Sequence, residues 1–138
     1  MTSPDGKVAM TSKIPKGLTE LNQWILWREE KRNPTDEKST KVPYQVNGLK
    51  AKPNDPSTWS DFMTARTKFL CGSWSGMGFV FSESDPFCGI DLDGCRNPDT
   101  GKVEDWARQI VLECNSYAEV SPSKTGIKIL DRKSTRLN

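Results

Sequence analysis

The sequence predicts an α+β domain with a mixed, largely antiparallel sheet and flanking helices. Three observations carry this. Short apolar runs of strand length recur between strong turn signals, two segments carry apolar residues at helical spacing, and the two kinds of segment interleave through hairpins. Repeated strand–helix–strand units, which would announce a doubly wound parallel sheet, are not the pattern here.

Residues 1–13 are polar, rich in Ser, Thr, Lys and Gly, and without periodicity, as expected of a frayed amino-terminal arm. A short amphipathic turn around Leu18 and Leu21 leads into WILWRE, Trp24 to Glu29, where four large apolar residues in a row read as a buried first strand. Glu29 to Lys41 is a charged loop with Asn33-Pro34 as a turn, and KVPYQV resumes an extended pattern. Proline cannot donate to a ladder, so Pro43 assigns that strand to an edge. The lysines of the hairpin tip either solvate the loop or approach a nucleic-acid backbone.

Asp55-Pro56 then signals a helix start, with Asp55 as N-cap and Pro56 at the first helical position. Trp59, Phe62, Met63, Phe69 and Leu70 are expected to form its apolar face. The Gly72 to Gly78 stretch lacks the ending of a P-loop and reads as a connector. GFVF, Gly78 to Phe81, and FCGIDLDG, Phe87 to Gly94, read as an antiparallel hairpin across the Ser82–Pro86 turn. VEDWARQIVLEC is expected to be helical, with Trp106, Ile110, Val111 and Cys114 on one side. YAEV and TGIKIL make two further strands across the bend SPSK.

Composition narrows the chemistry. The chain of 138 residues has room for a hydrophobic core, and 20 basic against 18 acidic residues leave too small a net charge to argue for nucleic acid by itself. With no histidine, a Ser-His-Asp triad, a Cys-His pair and an HExxH zinc centre are excluded within these residues. Cys71, Cys88, Cys95 and Cys114 form no CxxC pair, so a zinc site would need four thiolates at irregular spacing, and free, partly buried thiols are expected instead. No stretch approaches a membrane span and no apolar leader opens the chain. Nothing therefore directs the chain out of a reducing cytoplasm, and no membrane partner is expected.

Two segments carry functional residue types. In GIDLDG, alternate side chains of an extended strand share a face, so Asp91 and Asp93 are expected to project together while Ile90 and Leu92 point the other way. At the end of a buried strand two adjacent carboxylates repel and lose hydration, a cost that a divalent ion offsets. Hard oxygen ligands suit Mg²⁺ or Mn²⁺. The plainer reading makes both aspartates turn residues before Gly94. In SPSKTGIKI, Ser121, Ser123, Thr125 and exposed backbone N–H groups are candidates for phosphate oxygens, with Lys124 or Lys128 supplying positive charge. That segment also reads as a polar hairpin turn.

Taken in order, WILWRE, TKVPY, the DPSTW helix start, GMGFVF, DPFCGIDLDG and YAEVSPSKTGIKI resemble the amino-terminal domain of bifunctional DNA primase-polymerases of phages and plasmids, within the archaeo-eukaryotic primase superfamily. The resemblance covers residues 14–130. It implies a mixed catalytic core related to RNA-recognition folds, metal-dependent synthesis from nucleoside triphosphates on a DNA template, and a fused or separate helicase as a possible associate. Asp91 and Asp93 correspond to the family's paired acidic motif, and Ser121, Ser123, Lys124 and Lys128 to its nucleotide-binding turn. Lys128 stands where the family carries a histidine. Lysine can serve as a point charge against phosphate, but it normally stays protonated near neutral pH, so proton transfer at that place would change.

The family's third acidic residue belongs to a later strand, and Glu119 precedes the second motif, so it is not counted as that residue. DRKSTRLN, residues 131–138, is expected to end the TGIKIL strand abruptly. It reads as an artefactual tail on a domain truncated near Leu130, with a genuine basic tail as the alternative. On this view the fragment does not polymerise as it stands. Two other functions compete: a catalytically degenerate single-stranded DNA-binding replication module, and a DxD glycosyltransferase, which requires parallel strand order around Ile90.

Overall fold

The computed structural model describes residues 14–133; the expected arm and the last five residues of the expected tail lie outside the described residues. The described part is α+β, as predicted, with six strands and three α-helices. In chain order these are α1 (Lys16–Thr19), β1 (Trp24–Glu30), β2 (Thr40–Tyr44), α2 (Phe62–Cys71), β3 (Gly76–Phe79), β4 (Phe87–Leu92), α3 (Asp105–Cys114), β5 (Tyr117–Val120) and β6 (Ile127–Arg132). A 3₁₀ turn at Pro56–Thr58 precedes α2. Every strand pairing is antiparallel, and the strands make two three-stranded sheets, ordered β2-β1-β3 and β4-β6-β5, rather than a single sheet. The chain divides correspondingly into two compact units, the first ending at Val80 and the second beginning at Phe81.

In the first unit, β1 is central because its residues are apolar enough for burial: Trp24, Ile25 and Leu26 are all buried. β2 lies at the sheet edge with Pro43 opposite Trp27, as the missing proline donor requires. On the other side β3 pairs with β1, Gly76 opposite Trp27 and Gly78 opposite Ile25. A Cβ on Gly76 would lie 2.6 Å from the Trp27 indole. Gly76, which read as part of a connector, is therefore a strand residue that makes room for a large ring, and β3 begins earlier than the sequence suggests.

The helix expected from Pro56 onward is interrupted. Asp55 does cap, accepting from the Ser57 N–H at 3.0 Å, but it caps only the short 3₁₀ turn. Ser60 then leaves helical geometry to exchange two backbone hydrogen bonds with Trp24, at 2.9 and 2.8 Å. Asp61 caps α2 afresh, its carboxylate accepting from the Thr64 N–H at 3.0 Å. The buried face of α2 is Phe62, Ala65 and Phe69, whereas Met63 and Leu70 are exposed, contrary to the expected face. Phe62 and Phe79 both meet the Trp24 ring edge-on, with centroids at 4.9 and 5.3 Å.

In the second unit one face of the sheet packs on α3. Leu92, Cys95, Ala107 and Ile129 are the buried centre, with Ile90, Ile110, Val111, Ala118 and Ile127 around them. Trp106, expected on the packed side of α3, is half exposed instead, and Ala107 is the fully buried helical residue. Asn115 ends α3 in the left-handed conformation that terminates many helices. The expected hairpin between GFVF and FCGIDLDG does not form. β3 belongs to the first sheet, and β4 pairs with β6, residues Phe87 to Leu92 opposite Arg132 to Ile127. β6 also continues past Leu130: Asp131 pairs with Cys88, Arg132 pairs with Phe87, and Lys133 Nζ donates to the Ser82 carbonyl at 2.8 Å. The strand thus runs through two residues that the sequence reading assigned to the tail.

Candidate functional site

The second sheet sorts its side chains by strand alternation. Residues 90 and 92 of β4 turn toward α3, and residue 91 turns to the opposite face. On that opposite face the register aligns three charged residues across three strands: Asp91 of β4, Lys128 of the central β6 and Glu119 of β5. Lys128 Nζ lies 3.8 Å from Asp91 Oδ1, with the two side chains 35% and 65% exposed. Glu119 is engaged elsewhere, its Oε2 accepting from the Tyr117 hydroxyl at 2.8 Å. Burial, reinforced by that carboxylate, pushes the Tyr117 phenol well above its ordinary range, so it stays protonated as a donor. Chain order led the sequence reading to set Glu119 aside. Antiparallel pairing nevertheless brings it into the same row, a relation visible only once the β5–β6 register is known.

Asp93 lies one residue beyond the end of β4, in the turn that Gly94 completes with φ +64°. Both aspartates are exposed, so the expected desolvation of a buried pair is not their condition. On the Asp91 face the strand is buried at Phe87 but exposed at Asp91, and it ends at Leu92, leaving both carboxylates exposed. As donors they still fit a hard divalent ion. Mg²⁺ commonly takes one or two carboxylates and fills its remaining positions with water and substrate phosphate. Among the described residues, no group of three or more His, Cys, Asp or Glu side chains is placed to hold a metal ion, and the four cysteines are free.

The turn between β5 and β6 sits directly against the segment that follows β4. A Cβ on Gly126 would lie 2.6 Å from the Leu92 carbonyl oxygen and 3.6 Å from Asp93 Cα, so only glycine allows that approach. Arg96, which the sequence reading did not single out, ties the two segments together. Its backbone N–H donates to the Thr125 carbonyl at 3.0 Å and its guanidinium to the Lys124 carbonyl at 2.9 Å. Nothing in the local pattern CRNP marks this role, since it depends on which turn lies opposite.

Within the turn, Ser121, Ser123 and Thr125 form a relay of hydroxyls, each step 2.9 Å. Four of the backbone donors expected to be available in this turn are already used. The N–H of Gly126 donates to Ser121 Oγ at 3.0 Å, that of Ser121 to the Gly126 carbonyl at 3.0 Å, that of Lys124 to the Ser121 carbonyl at 2.8 Å and that of Thr125 to Ser123 Oγ at 3.4 Å. The turn closes on itself because it must reverse the chain between paired strands, and those N–H groups hold its shape. Its outward chemistry is the hydroxyls of Ser121 and Ser123 and the exposed ammonium of Lys124, a residue with φ +66°. The structure therefore pairs Asp91 with Lys128 on one face of a three-stranded sheet and places Asp93, Ser121, Ser123 and Lys124 in the two adjoining turns at its end.

No family model matches the chain. Among curated proteins, the DNA Primase-polymerase of Nitratiruptor phage NrS-1 is 37% identical to it over 124 residues, which is 88% of this chain and 16% of that protein. The resemblance read from the ordered segments is thus found across most of the chain, which spans a small part of its relative's length.

Proposed function

We propose, from the resemblance of this chain to a phage DNA primase-polymerase, that it is part of a metal-dependent nucleotidyl transferase. The parent protein would extend or initiate strands on a DNA template from nucleoside triphosphates, in the replication of a phage or plasmid-like element. The observation that carries the reading is the 37% identity to the primase-polymerase. The juxtaposition of the acidic pair with the hydroxyl-rich turn supports it.

In this reading Asp91 and Asp93 hold Mg²⁺ or Mn²⁺. When bound, the ion neutralises charge on the triphosphate and lowers the pKa of the attacking hydroxyl. Ser121 and Ser123 donate hydrogen bonds to phosphate oxygens, while Lys124 and Lys128 supply point charges to them. A helicase, fused or separate, would expose the template. Because the chain spans 16% of its relative, the 138 residues alone are proposed not to polymerise.

The test uses a longer protein that contains this segment. Replacing Asp91 and Asp93 together by alanine should abolish metal-dependent incorporation of nucleotides on a primed template, and retained incorporation would refute the assignment. A degenerate single-stranded DNA-binding module is distinguished by salt-sensitive DNA binding without incorporation in that longer protein. The glycosyltransferase alternative required parallel strands around Ile90. Ile90 is instead paired antiparallel with Ile129, which removes its support.

A further inference from the structure

Lysine at position 128 does more in this geometry than face a phosphate. It stands on the central strand, directly between Asp91 on one neighbour and Glu119 on the other. Its ammonium lies 3.8 Å from Asp91 Oδ1, while the Glu119 carboxylate accepts from the Tyr117 hydroxyl at 2.8 Å. Of the two carboxylates, Asp91 is the one that the structure shows as an ion partner of Lys128. A divalent cation on the acidic pair and the Lys128 ammonium would then be drawn to the same carboxylate, and two cations sharing one anion repel each other.

We infer that Lys128 is a tethered counter-ion of Asp91, a positioning residue that competes with the metal for this carboxylate and is released toward phosphate when nucleotide and metal arrive together. The inference rests on the metal-site reading of Asp91 and Asp93. Its consequence is that the chain without nucleotide binds divalent ions more weakly than two exposed carboxylates allow. Nucleotide, by giving the ammonium another anion, tightens metal binding, and the coupling is reciprocal.

The experiment titrates Mn²⁺ into the whole 138-residue chain without nucleotide, reading the loss of the free-ion electron paramagnetic resonance signal. The parent is compared with Lys128→Met, Lys128→Arg and the double variant Asp91→Asn, Asp93→Asn. Circular dichroism checks that each is folded. Lys128→Met should bind Mn²⁺ about two- to fivefold more tightly, the range of a partly exposed ion pair, and Lys128→Arg should stay near the parent because it keeps the charge. Equal or weaker binding by Lys128→Met overturns the inference. So does equal tightening by Lys128→Arg, which would trace the effect to altered packing. If the double variant binds Mn²⁺ as tightly as the parent, the metal-site reading itself fails, and the inference with it. If Lys128→Met does not fold, Lys128→Gln takes its place, with the same tightening expected and equal or weaker binding overturning the inference.

Discussion

The guanidinium of Arg96 donates to the backbone carbonyl of Lys124 at 2.9 Å, clamping the turn between β5 and β6 to the segment that leaves β4. It is one of two hydrogen bonds that Arg96 makes to that turn, the other running from its backbone N–H to Thr125. Removing the side chain leaves the backbone bond and frees the carbonyl of Lys124, a residue in the left-handed conformation. Arg96→Ala should cost about 1 kcal/mol of stability in chemical denaturation, the usual net worth of such a bond. Hydrogen exchange at the Lys124 and Gly126 amides should accelerate more than at β4.

Gly126 and Gly94 offer a paired test of close approach against backbone strain. Gly126→Ala drives a Cβ to 2.6 Å from the Leu92 carbonyl, a rigid backbone atom, and overpacking of this kind costs roughly 1–3 kcal/mol. Gly94 has φ +64° with open space around the position, so Gly94→Ala meets only the left-handed strain of roughly 1–2 kcal/mol. Gly126→Ala should also shift the amide resonances of Leu92 and Asp93, which lie against it, whereas Gly94→Ala should leave Ser121 unchanged.

Asp61 predicts a pH dependence. Hydrogen bonding at the start of α2, led by the Thr64 contact, holds its carboxyl below the ordinary carboxylate range. A depressed folded-state pKa stabilises the protein above the unfolded-state value of 3.8, and that contribution disappears as pH falls through the lower folded-state value. Asp61→Ala should therefore lose about 1 kcal/mol of stability near neutral pH, with the difference from the parent shrinking below about pH 4. Asp61→Asn, which caps without ionising, should keep most of the stability and show less of the acid dependence.

The acidic pair should separate function from stability. Asp91 and Asp93 are both exposed, so Asp91→Ala with Asp93→Ala should move the denaturation midpoint little, within about 0.5 kcal/mol. A large loss of stability would mean that the aspartates hold the β4 turn rather than a ligand.

Some elements were legible because their causes are local. The run WILW supplies the buried Trp24, Ile25 and Leu26, Pro43 can only sit at an edge, and the expected helix VEDWARQIVLEC ends at Cys114, where the structure ends it. The YAEV and TGIKIL strands pair as expected because a turn joins them directly. GFVF and FCGIDLDG carried equally strong local signals and were paired wrongly. What decides their partners is remote: the bulk of Trp27 selects the Gly76 strand, and Ile129 and Ile127 complete the core beside Ile90 and Leu92.

The same division runs through the candidate site. Sequence alone determined which residues could bear the chemistry, because hard oxygen donors, hydroxyls and ammonium groups are properties of residue type, and because alternation along a strand separates Asp91 from Ile90 and Leu92. Only the tertiary structure decided that the Ser121–Gly126 turn lies on the Asp93 segment, that Arg96 fastens them, and that Asp91, Lys128 and Glu119 form one row. Those relations depend on strand register, which is chosen by the summed burial of distant apolar side chains, and no local pattern records that sum.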